Sequence, residues 1–105
     1  MIGFDEYQKL AMRTISFDSA FDRDSMLTTA ALGLAGESGE FAELTKKYLF
    51  HGHPIPDTEK VAKELGDILW YIACACEAFE ISMEKVAAHN IDKLRSRYPD
   101  QFESR

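Results

Sequence analysis

The 105 residues are enough for one domain, 1–105, with only a modest hydrophobic core. Hydrophobic residues make up 46% and charged residues 29%, the balance of a soluble globular protein and not of a disordered chain. A net charge of −6 argues against a sequence-independent nucleic-acid binder, which needs a basic face, but not against a nucleotide whose charge is met by metal ions and local cations.

The chain reads as all helix. No segment sustains a two-residue alternation between turn signals, and Pro54, Pro56 and Pro99 fall where helices should be absent or ending. The first helix is expected from about Asp5, where Asp5 and Gln8 have the spacing of a capping box. Tyr7, Leu10, Ala11 and Ile15 give it an apolar stripe. There is no basic segment followed by an apolar run at the start, hence no signal peptide. The stretch Phe17 to Ser25 is polar and turn-like, with Asp24 or Ser25 as cap of the next helix.

The second helix is expected from about Met26 to Leu49, with Leu27, Ala30, Leu34, Phe41, Leu44 and Tyr48 as its core stripe. At about 100° per residue, Glu37 falls inside that stripe, Glu40 at its edge and Glu43 on the far side. A carboxylate on a core-facing stripe is costly unless paired or metal-bound, so a solvated face suits Glu43 and not Glu37. Gly33, Gly36 and Gly39 each cost about 1 kcal/mol relative to alanine in a helix, which makes sense if something must approach closely.

A loop follows over Phe50 to Pro56, then Asp57 or Thr58 caps a third helix running to about Glu80. Val61, Leu65, Ile68, Ile72 and Phe79 form its main stripe, while Trp70, Ala73 and Cys74 carry apolar character onto other faces. A helix apolar nearly all round is buried on several sides, which in so short a chain suggests an oligomer. Glu64, Asp67 and Tyr71 share one flank. Cys74 and Cys76 are spaced wrongly for a disulfide within a helix and read as reduced apolar fillers, in keeping with a cytoplasmic protein. The apolar run from Ile68 to Phe79 is too short to span a bilayer. Ser82 caps a fourth helix, Met83 to Arg97, with Met83, Ala87, Ile91 and Leu94 facing the core and Asn90, Lys93 and Arg97 along one flank.

Two carboxylate pairs stand out: Glu37 with Glu40, and Glu64 with Asp67. Each has i, i+3 spacing, which places both side chains on one helix face. The short loop makes the second and third helices an antiparallel hairpin. The first pair lies about 10 to 13 residues before Phe50 and the second a similar distance after Pro56, so they should meet at equal height. With no histidine at a partner position and no cysteine, the set suits a hard cation, Mg²⁺ or Mn²⁺, and not the ligand sets of zinc or di-iron sites. Mg²⁺ usually takes substrate phosphates as further ligands, so a polyphosphate substrate follows.

The pattern Glu37-x-x-Glu40 then Glu64-x-x-Asp67, set in Gly33 to Glu40, His51-Gly52-His53-Pro54, Glu64 to Tyr71 and Asn90-x-x-Lys93-Leu94-x-x-Arg97-Tyr98-Pro99, resembles the MazG-like nucleotide pyrophosphohydrolases over residues 26 to 102. The resemblance implies an all-α, four-helix bundle-like fold that forms a homodimer or homotetramer. It implies Mg²⁺-dependent cleavage of a nucleoside triphosphate between the α and β phosphates, giving a monophosphate and pyrophosphate. Glu37, Glu40, Glu64 and Asp67 carry over as metal ligands, and Asn90 and Lys93 as nucleotide contacts. Arg97 joins that flank or simply complements the helix C-terminus. Trp70 and Tyr71 stack a base or pack internally, and the loop around His51 lies near substrate or is a plain connector. A non-enzymatic oligomerisation or partner-binding module is the rival reading. So is a narrower enzyme for dUTP, dCTP or phosphoribosyl-ATP.

Overall fold

The computed structural model describes residues 1–15 and 22–103. Most of the turn-like stretch expected from Phe17 to Ser25 lies outside the described residues. Four helices follow in order: α1 (Phe4–Ala11), α2 (Arg23–Phe50), α3 (Thr58–Ala78) and α4 (Met83–Arg97). Short 3-10 turns cover Met12–Thr14 and Pro99–Phe102, and no strand occurs among the described residues.

Local chemistry sets most helix boundaries. Asp57 accepts the Lys60 amide at 2.8 Å and Ser82 accepts the Lys85 amide at 3.0 Å, so both are N-caps that satisfy an otherwise orphaned donor. The cap of α2 is Asp22, not Asp24 or Ser25. Its Oδ1 accepts the Ser25 amide at 2.9 Å, and that hydrogen bond holds the Asp22 carboxyl below its usual range. At the end of α2, Gly52 takes a positive φ of 74° and the His53 amide returns to the Lys47 carbonyl at 3.2 Å. At the end of α3, Glu80 adopts φ 57°. The Ile81 amide reaches the Cys76 carbonyl at 2.9 Å and the Glu80 amide the Glu77 carbonyl at 3.1 Å, a Schellman closure built on a non-glycine residue.

The expected capping box of α1 does not form. Gly3 is the N-cap and no side chain caps the helix. Gln8 instead crosses to the start of α4, accepting the Met83 amide at 2.8 Å and donating to the Ile81 carbonyl at 3.2 Å. Asp5 accepts the Glu84 amide at 3.2 Å. The two residues cap a helix remote in sequence, because tertiary contact brings α1 across the N-terminus of α4.

The most extensive helix packing is between α2 and α3. Met26 meets Cys74, Gly33 meets Tyr71, and Glu37 and Glu40 meet Glu64. As residue number rises along α2 it falls along α3, so the two run antiparallel. Helix α1 packs on α3 and α4, and α4 on α1 and α3. The core is made of small and flexible side chains: Ala11, Met12, Ile15, Ala30, Ala73, Cys74, Cys76 and Met83. Both cysteines are free and buried, and burial raises their thiol pKa values. Several positions expected in the core are exposed: Leu10, Tyr48, Leu65, Phe79 and Ile91. Their helix faces are apolar as the periodicity requires, but among the described residues no element buries them. No helix of the described residues is long and apolar enough to cross a membrane.

Candidate metal and nucleotide site

Gly33 lies under the ring of Tyr71, where any Cβ would collide with it. That close approach of α2 to α3 is one helical turn from Glu37 on one side and from Asp67 on the other. It fixes the height at which the carboxylates meet. Gly36 and Gly39 have only open space around their Cα atoms, so nothing in the described chain accounts for them.

Glu37, Glu40 and Glu64 each offer an oxygen, and the three atoms lie within 4.8 Å of one another. Glu37 Oε2 and Glu64 Oε2 are buried with no hydrogen-bond partner. Buried, unpaired carboxylate oxygens are rare, because leaving one unsatisfied costs its full desolvation penalty. The Glu37 carboxyl responds as physics requires. Burial raises its pKa first, then the charge and hydrogen bond of Glu40, then the charges of Asp67 and Glu64. Three clustered carboxylates, two of them with an orphaned buried oxygen, form an all-oxygen set that fits a hard divalent cation.

Asp67 stands apart from this trio. Its Oδ2 is 3.5 Å from the Lys63 ammonium, which is also 3.8 Å from Glu64 Oε1. Both carboxylates raise the Lys63 pKa, Asp67 most. The i, i+4 spacing of Lys63 and Asp67 was available in the sequence as a pairing signal. Tyr7 of α1 also comes under the influence of Asp67: burial raises its phenol pKa and the Asp67 charge adds to this. Nothing in the sequence around Tyr7 points to that proximity. Glu43 is exposed and paired with Lys46 at 3.9 Å.

Two cavities flank the carboxylates. One, of about 500 Å³, shares Glu40 and Glu64 with the cluster and is lined also by Lys47, His53 and Lys60. The other, of about 290 Å³, is formed by Glu37, Asp67, Trp70 and Tyr71. Trp70 is held in place by donating its indole N–H to Thr14 Oγ1 at 2.8 Å and by an edge-to-face contact with Tyr71, ring centres 5.1 Å apart. It also packs against the core.

The α4 residues are placed differently. Asn90 lines a third cavity with Phe4, Leu69, Ile72 and Met83, away from the carboxylates. Lys93 and Arg97 are exposed along α4, and His51 is exposed at the end of α2. Within one chain, then, the carboxylates and the two aromatic residues come together, while Asn90, Lys93, Arg97 and His51 do not line the same cavities.

The MazG nucleotide pyrophosphohydrolase domain family matches residues 25–102. The chain is also 35% identical over 98 residues to the Gene 37 protein of Mycobacterium phage L5, covering 89% of this chain and 86% of the phage protein. No solved structure gives a significant match.

Proposed function

The chain belongs to the MazG nucleotide pyrophosphohydrolase family, and from that premise we propose that it is a divalent-cation-dependent enzyme that cleaves nucleoside triphosphates between the α and β phosphates, releasing a nucleoside monophosphate and pyrophosphate. The observation that carries this reading is the pair of orphaned buried oxygens, Glu37 Oε2 and Glu64 Oε2, in a cluster with Glu40. Glu37, Glu40 and Glu64 would hold Mg²⁺ or Mn²⁺, and Asp67, now paired with Lys63, would be the fourth ligand. Such a cation supplies charge neutralisation at the phosphates and acidifies a bound water. The carboxylates would orient a water for attack on phosphorus, and a carboxylate oxygen not used as a ligand would accept its proton. Trp70 and Tyr71 offer an aromatic surface beside the carboxylates for the nucleoside end.

The working form is a homodimer or homotetramer. The chain exposes 7996 Å², against about 5,900 Å² for a folded monomer of its mass. Its radius of gyration is 16.8 Å, where about 13 Å is usual at this length. Leu49, Phe50, Ile55 and Phe79 are all more than half exposed. A second copy covers these faces and closes the four-helix bundle that α2 leaves open. The place of Asn90, Lys93 and Arg97 on α4, apart from the carboxylates of the same chain, suits delivery to the site of a neighbouring copy. His51 serves the substrate from the connecting loop.

A panel of ordinary, deoxy and modified triphosphates, with dUTP, dCTP and phosphoribosyl-ATP among them, tests the reading with Mg²⁺ and Mn²⁺. Pyrophosphate release is expected, and chelation with EDTA should stop it. Glu40→Gln and Asp67→Asn should each lower turnover by about a hundredfold or more with helicity unchanged. Absence of release from every member of the panel would favour the rival suggested by the exposed apolar faces, a non-enzymatic oligomerising module.

A further inference from the structure

The two cavities that flank the carboxylates differ in chemistry, and the difference gives the substrate a direction. The larger cleft lies where α2 ends and α3 begins, and it is lined by Lys47 and Lys60 together with His53. The acidic residues on its walls are otherwise engaged. Glu43 pairs with Lys46, Asp57 caps α3 through the Lys60 amide, and Glu40 and Glu64 turn to the carboxylate cluster. Among the described residues, neither Lys47 nor Lys60 lies within ion-pair distance of a carboxylate, although four acidic residues line the same cleft. Two lysines without an ion-pair partner thus line a space of about 500 Å³, ample for a hydrated diphosphate. The start of α3 adds the positive end of its dipole to the same cleft. No Phe, Tyr or Trp lines it; the ring it offers is the His53 imidazole, a smaller stacking surface than the indole and phenol of the other cavity. The smaller cavity is the reverse: Trp70 and Tyr71 line it, and it holds no cation.

Resting on the function proposed above, we propose that the cleft at Lys47 and Lys60 is the pyrophosphate subsite. The two lysines take the β- and γ-phosphates, and the nucleoside lies across the carboxylates toward Trp70 and Tyr71. Each cavity shares carboxylates with the cluster, one with Glu40 and Glu64 and the other with Glu37, so the bond to be broken falls between them. Hydrolysis moves the attacking water's oxygen onto one phosphorus and leaves the bridging oxygen with the other. The pyrophosphate then remains on the lysine side and the monophosphate on the aromatic side.

Lys47→Gln/Lys60→Gln tests the assignment in the full chain, because both side chains are at the surface and their loss should leave far-UV circular dichroism and Tm unchanged. Calorimetry with inorganic pyrophosphate and Mg²⁺ should show binding weakened at least about tenfold in the double variant, from the loss of charge-assisted contacts. Binding of a nucleoside monophosphate should stay within about twofold of the parent. Equal weakening of both products, or no weakening of pyrophosphate binding, would overturn the assignment. Lysine-dependent pyrophosphate binding in a protein that hydrolyses no nucleotide would leave the subsite standing and remove the proposed reaction. Turnover of triphosphates with no pyrophosphate binding would do the opposite.

Discussion

The ring of Tyr71 rests on Gly33, one turn from Asp67 along α3 and one turn from Glu37 along α2. No side chain other than hydrogen fits beneath the ring. The contact sets both the separation and the height of the two helices where the carboxylates converge, so packing and chemistry share one anchor.

Gly33→Ala should therefore do more than a surface glycine substitution. Helix propensity favours alanine by about 1 kcal/mol, but the methyl group must displace a ring, and overpacking costs about 1–3 kcal/mol. The net expectation is lost stability in denaturant unfolding and weaker Mg²⁺ binding by calorimetry, since moving Tyr71 moves α3 against Glu37 and Glu40. Unchanged Mg²⁺ affinity would show that this contact does not set the register of the site.

Gly36→Ala and Gly39→Ala should behave in the opposite way. Nothing lies within 4 Å of where their Cβ atoms would sit, so each should stabilise the folded chain by about 1 kcal/mol through propensity alone. Chemical denaturation at low protein concentration measures this directly. A loss instead of a gain would mean that another backbone packs on this face of α2 in solution.

The Glu37 carboxyl gives a pH signature. Its folded pKa is raised above the ordinary 4.5, so in the metal-free protein the folded state holds a proton that the unfolded chain has already released. Stability from this group is present below 4.5 and is lost as pH rises from there through the elevated folded value. Without divalent ions, Tm should fall more steeply as pH rises above 4.5 for the parent than for Glu37→Gln. Saturating Mg²⁺ should remove the difference, because a bound cation replaces the proton.

Gln8→Ala should cost about 1–3 kcal/mol, since it strips the buried Met83 amide of its acceptor at 2.8 Å. Hydrogen exchange should quicken first in the opening turn of α4. Exchange spread evenly over the chain would argue that Gln8 acts through general packing.

Much of the helical order was legible because helix boundaries are local events. Asp57 and Ser82 cap their helices through amides three residues on, within the reach of one turn. The same logic misplaced Asp5 and Gln8, which have capping-box spacing yet serve α4, 75 residues beyond Gln8 at Met83. Periodicity put Leu65 and Phe79 on apolar faces, but only packing decides whether anything covers them, and among the described residues both stay exposed.

By itself, the sequence determined four helices, the two i, i+3 carboxylate pairs and their matched distances from the connecting loop. These are properties of helical repeat and chain length. Tertiary structure alone decided that three glutamates converge while Asp67 turns to Lys63, and that Tyr71 seats on Gly33. It also decided that two unpaired lysines border the cluster on the side away from the aromatic pair. Those outcomes depend on the rotation of one helix against another, which the close contact of a ring with a glycine fixes and no local pattern encodes.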